Sequence, residues 1–105
     1  MDATTTILVD GHPLDGSRLA ELCRRYGVAE LAVFGSVARG EASEASDVDL
    51  LYVLVPGAHL GFAINELEDE LAKLFERPVD LVAKRVLHHL IRDDVLTEAR
   101  TLYAA

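Results

Sequence analysis

Three short apolar runs, separated by segments of helical periodicity, constrain this chain most. Leu31-Ala32-Val33-Phe34 ends at Gly35, a second run extends from about Asp47 to Val55 before Pro56-Gly57, and Val79-Asp80-Leu81-Val82 follows Pro78. Apolar runs of this length, bounded by Gly or Pro, read as strands, the first of them buried on both faces. Leu19, Leu22, Cys23 and Tyr26 recur at i, i+3, i+4 and i+7, a helical stripe that starts near Asp15 or Ser17 and stops at Gly27. Ile64, Leu67, Leu71 and Leu74 repeat the pattern. There Glu66, Glu68, Asp69 and Glu70 cover the outer face, with Lys73 and Arg77 at the C-terminal end, where the helix dipole favours cations. Ser36 to Ser46 reads as a short helical turn plus loop, 85–100 as a helix, and Leu102-Tyr103 as an edge strand. This alternation predicts an α/β domain, a small mixed β-sheet with helices packed on it.

The 105 residues suit one domain with one core, spanning 1–105. The stretch from Thr4 to Val9 has strand composition but no evident place, so 1–13 stands as an N-terminal extension of open role. Acidic residues number 18 against 10 basic, a formal charge of -8, which argues against general nucleic-acid binding because that affinity comes mostly from Lys and Arg at phosphates. A phosphate-bearing ligand has to be bound locally, against the overall field. No apolar run approaches the roughly 20 residues of a membrane span. The first six residues carry no basic side chain and Ile7-Leu8-Val9 is too short for a signal peptide, so the expectation is a cytoplasmic protein. The single cysteine, Cys23, can form neither an intrachain disulfide nor a Cys-type zinc site and is expected in the core.

Chemistry concentrates on two segments. Asp47 and Asp49 lie two apart at the start of a strand, so both project from one face. Like charges about 6 to 7 Å apart along a strand repel unless a cation sits between them. Asp80 repeats the theme on the third strand. Three carboxylates on adjacent strands would make a hard oxygen site suited to Mg²⁺ and a substrate's phosphates. Two such ions, about 3.5 to 4 Å apart, could clamp the oxygens of an in-line phosphoryl or nucleotidyl displacement. Singly, each carboxylate has a blander reading as a cap, turn or solvated edge residue. The complementary half is Phe34-Gly35-Ser36-Val37-Ala38-Arg39-Gly40. There Gly35 allows a tight turn and close ligand approach, N–H groups and the Ser36 hydroxyl can meet a phosphate, and Arg39 can add a charge-assisted contact. Taken alone, Gly35-Ser36 is an ordinary turn and Arg39 a solvated charge.

Gly35-Ser36, ten intervening residues, Asp47-Val48-Asp49 and a later Asp80 together resemble the nucleotidyltransferase superfamily that includes DNA polymerase beta. The fuller strings, Gly35 to Glu41 and Ser46 to Leu51, are similar to its minimal nucleotidyltransferase group, and the likeness runs from about Leu14 to Tyr103. The resemblance implies a polymerase beta-like fold in which Gly35 and Ser36 bind the nucleotide triphosphate and Asp47, Asp49 and Asp80 hold two Mg²⁺. It implies transfer of AMP from ATP to a hydroxyl with release of pyrophosphate, Asp80 being the candidate to draw off the proton. It also implies an antitoxin whose partner is a HEPN-domain ribonuclease toxin, modified on a tyrosine; homo- and hetero-oligomers both stay open. The alternative is a binding module that neutralises the toxin by occlusion alone. A small-molecule transferase is disfavoured, since 105 residues leave no space for an acceptor domain and suggest that the acceptor comes on another chain.

Adjacent His88 and His89 would not face the same way on a helix and are not expected to form a metal pair. Lys84, Arg85 and Arg92 read as a solvated face and Tyr52 as core.

Overall fold

Asp15 begins the folded order visible at the first helix. Its side chain accepts from the backbone N–H groups of Ser17 at 3.0 Å and Arg18 at 3.2 Å, satisfying two donors that a helix start leaves open. Helix α1 then runs Gly16–Tyr26 and stops where Gly27 takes a left-handed φ of 72°. The computed structural model describes residues 6–9, 12–40, 47–86 and 89–105. In chain order, the other elements are β1 (Thr6–Val9), β2 (His12–Asp15), β3 (Val28–Phe34), α2 (Gly35–Arg39), β4 (Val48–Leu54), α3 (Ala63–Phe75) and β5 (Val79–Ala83). A 3-10 turn (Lys84–Val86), α4 (His89–Glu98) and β6 (Arg100–Ala104) complete the chain, with numbering following the order of strands and α-helices.

Strands β5-β4-β3-β6 form one sheet in that order. β4 and β5 are parallel, with α3 as the crossover that parallel neighbours require, while β3 pairs antiparallel with both β4 and β6. The mixed sheet and the edge strand at Leu102-Tyr103 agree with the sequence. Register divides the side chains into two rows. Val33↔Leu50↔Leu81 lie on one face with Leu31 and Val48, all buried, and pack with Leu19, Leu22 and Cys23 of α1 and Leu67 and Leu71 of α3 into one core. Each such side chain withdrawn from water contributes about 1.5 to 3 kcal/mol. Phe34↔Asp49↔Asp80 lie on the other face.

Several local expectations change, among them the helix expected over 85–100: a 3-10 turn covers Lys84–Val86, α4 ends at Glu98, and Arg100 already belongs to β6. β3 starts at Val28, not Leu31: Val28 is buried directly after Gly27, and the exposed Glu30 with a register shift beside it conceals the strand in the sequence. β3 is also not buried on both faces, since Leu31 and Val33 are buried while Ala32 and Phe34 are only half so. Glu68 does not join the solvated face of α3; its Oε2 accepts from Leu81 N–H at 3.0 Å, covering a donor on the outer edge of β5. The stretch that had no place becomes a hairpin, β1 antiparallel to β2, contributing Val9 and Leu14 to the core against α1 and α3. Among the described residues no helix is long and apolar enough to cross a membrane. Residues 41–46 and His88, and the side chains of His89 and Arg92, lie outside the described set.

Candidate active site

The non-core row of the sheet ends in carboxylates because β4 and β5 run parallel and in step. Val48 opens β4 opposite Val79 and its N–H donates to Pro78 O at 2.8 Å, which fixes the register at the strand starts. Asp49 and Asp80 are therefore direct register partners across adjacent strands, and Asp47 lies just before β4. Asp47 and Asp80 are exposed, Asp49 half-buried. Burial first, then the negative charges of Asp80 and Asp47, push the Asp49 carboxyl above its usual value of 3.8, against an opposing pull from Arg39. The three predicted carboxylates thus interact electrostatically, and Arg39 belongs to the same neighbourhood.

The third member of the row, Phe34, hands the chain to Gly35, which turns it with φ 76° into the five-residue α2. A β-carbon added at Gly35 would lie 2.5 Å from Asp49 Oδ2, so only glycine lets the turn approach the carboxylate this closely. Arg39 ends α2 and pairs with Glu98 of α4: its Nη1 lies 3.2 Å from Oε1 and 3.1 Å from Oε2. The same Oε1 accepts from Gly35 N–H at 3.2 Å. Ser36 is the second residue of α2, and its side chain lies outside the described set.

Glu98 is the residue that sequence reasoning missed. It stands 63 positions from Gly35 and 59 from Arg39, and nothing in its local sequence separates it from the other acids of a tail helix. Two cavities lie away from the carboxylate row. One of about 460 Å³ sits between the hairpin and the end of α3, lined by Val9, Leu14 and Phe75 among others; one of about 760 Å³ sits at the far end of β4, lined by Tyr52, Leu60 and Lys84 among others. Tyr52 packs against the core, as expected.

Among the described residues, no group of three or more His, Cys, Asp or Glu side chains is arranged to hold a metal ion as placed. The donor set nonetheless fits Mg²⁺ in kind: carboxylate oxygens are the ligands it takes, and mutual repulsion at Asp49 is what a cation relieves. Asp47 and Asp80 are exposed, so their side chains can rotate without disturbing the core.

A mixed sheet with two register-paired carboxylates beside a glycine turn defines a small α/β domain with its candidate site at the strand starts. Comparison with known proteins makes this specific: residues 18–102 match the nucleotidyltransferase domain family. The chain belongs to that family. It is 48% identical over 80 residues, 74% of this chain and 78% of the other, to the protein adenylyltransferase MntA of Thermococcus cleftensis. Among solved structures, it is similar to one described as a minimal nucleotidyltransferase, at 44% identity and TM-score 0.66, covering 79% of this chain and 86% of that one. It also shares its fold, at 22% identity and TM-score 0.59, with a Shewanella oneidensis structure of a tri-AMPylated HEPN toxin in complex with MNT antitoxin, covering 86% of this chain and 70% of that one.

Proposed function

We propose that this chain is an antitoxin that transfers AMP from ATP to a hydroxyl, a tyrosine in the first instance, of a partner HEPN ribonuclease toxin. The observation that carries the proposal is the register pairing of Asp49 with Asp80 beside the Gly35 turn. It joins a carboxylate cluster to a backbone that can approach phosphate. The name of the Thermococcus relative supports a protein acceptor and an adenylyl group, and the Shewanella complex supports a HEPN partner.

In this reaction the acceptor oxygen forms a bond to the α-phosphorus while the bond to the bridging oxygen breaks, and pyrophosphate leaves. Gly35 and Ser36 bind the triphosphate and Arg39 contributes positive charge beside it. Asp80 takes the acceptor's proton; its exposed position on β5 leaves it open to a group arriving from outside. Asp47, Asp49 and Asp80 would hold two Mg²⁺, which when bound supply charge neutralisation at the phosphates and orient the reacting oxygens. The reaction is assigned to the cytoplasm, where ATP and the toxin's RNA substrates meet.

Occlusion of the toxin without chemistry is the second reading. Cells expressing the toxin separate the two. Transfer predicts that Asp47→Asn with Asp49→Asn loses protection while the chain stays folded. Protection at the parental level by that double variant would establish occlusion instead.

A further inference from the structure

Glu98 joins both ends of α2 through one carboxylate. Its Oε1 accepts from Gly35 N–H, the first residue of α2, and its two oxygens meet Nη1 of Arg39, the last. Both bear on Asp49: Gly35 leaves no room for a β-carbon beside its carboxylate, and Arg39 acts on it by charge. A five-residue helix does not hold its own shape in water, so its geometry has to come from tertiary contacts. Val37 and Ala38 supply part of that by burial, and Glu98 adds polar contacts.

We propose that Glu98 is a positioning residue of the nucleotide site: by clamping Gly35 and Arg39 in one arrangement it presets the phosphate-binding segment against Asp49. This rests on the nucleotide-binding reading above. An arginine already held in place loses less rotamer freedom when a triphosphate arrives, and that saving appears as affinity. A purely electrostatic role predicts the opposite sign, because deleting a negative charge beside a phosphate site strengthens the attraction for phosphate.

The test is Mg²⁺·ATP titration of the parent chain, Glu98→Gln, Arg39→Ala and the double variant. Glu98→Gln keeps an acceptor for Gly35 but turns away from the guanidinium. Positioning predicts that Glu98→Gln weakens ATP binding about fivefold to tenfold, and that in the Arg39→Ala background the same change costs less than about twofold. A second measurement needs no nucleotide. Hydrogen exchange at the Gly35 amide should accelerate at least about tenfold in Glu98→Ala, whose thermal unfolding is read alongside. Glu98→Asp, which withdraws the carboxylate by one methylene, replaces that variant if it does not fold. Unchanged or tighter ATP binding by Glu98→Gln, an equal loss in both backgrounds, or an unaltered Gly35 amide overturns the proposal. A parent chain that does not bind ATP removes the nucleotide-binding reading itself, and the Gly35 amide then decides the clamp alone.

Discussion

Gly35, the first residue after β3, and Asp49, near the start of β4, are so close that a single added β-carbon on the glycine would stand 2.5 Å from Asp49 Oδ2. The turn into α2 and the central carboxylate are thereby parts of one small space, held together by the antiparallel register that pairs Phe34 with Asp49.

Gly35→Ala should therefore damage both stability and site. The left-handed φ of 76° costs a non-glycine residue about 1 to 2 kcal/mol, and the clash with Asp49 adds to it. Urea denaturation should report a loss of about 1 to 3 kcal/mol, with nucleotide binding reduced further than the lost stability explains. By contrast Gly40→Ala, also at positive φ but with no described residue near its β-carbon, should cost only the backbone part.

Crowded carboxylates give the fold a distinctive pH response. The native Asp49 carboxyl is raised, by burial and then by Asp80 and Asp47, so the folded chain holds its proton to a higher pH than the unfolded chain does. Between the two values the native state binds more protons, and stability falls as pH rises. The contribution is complete below the unfolded value, near 3.9, and is lost as pH climbs through the raised one. Asp49→Asn should accordingly be more stable than the parent at neutral pH, the two converging in acid. Chemical denaturation across this range checks it; a parent at least as stable as the variant at neutral pH refutes it.

Millimolar Mg²⁺ should raise the melting temperature of the parent and narrow its gap from Asp49→Asn, since an ion bound only to the folded state stabilises by mass action. Asp47→Asn with Asp49→Asn should show no such rise. Equal shifts in parent and double variant would place the ion elsewhere.

The thiol of Cys23 is buried and pushed by that burial from 9.0 up to about 12. Its stability contribution persists below 9.0 and is lost only as pH rises toward 12. A thiol reagent at about pH 8 should leave the native chain unmodified and titrate one thiol after denaturation, because the thiolate is the reactive form. Rapid labelling of the native chain would mean that the α1 stripe is not packed as described.

Much of this was legible in the residues. The stripes Leu19-Leu22-Cys23-Tyr26 and Ile64-Leu67-Leu71-Leu74 gave α1 and α3 because each helix buries one face against a sheet, and Asp47-Val48-Asp49 stood out because strands seldom place two charges side by side on one face. The β1–β2 hairpin escaped: His12-Pro13-Leu14-Asp15 has no β-branched residue and carries a proline, although the Asp10-Gly11 dipeptide between the strands was an available turn signal. Glu68 and Glu98 escaped for a different reason. Their partners, Leu81 N–H in one case and Gly35 with Arg39 in the other, are brought to them by tertiary structure, and helical periodicity cannot distinguish an acid that caps a neighbour from one that faces water.

Label transfer tests the central claim most directly. If the proposed transfer is right, the purified chain, Mg²⁺, α-labelled ATP and a purified candidate HEPN partner should yield labelled partner, released pyrophosphate, and no labelling with Asp47→Asn and Asp49→Asn together. Toxin left unlabelled by the parent chain under these conditions, or labelled equally by the double variant, would contradict the assignment of transfer to the carboxylates of β4 and β5.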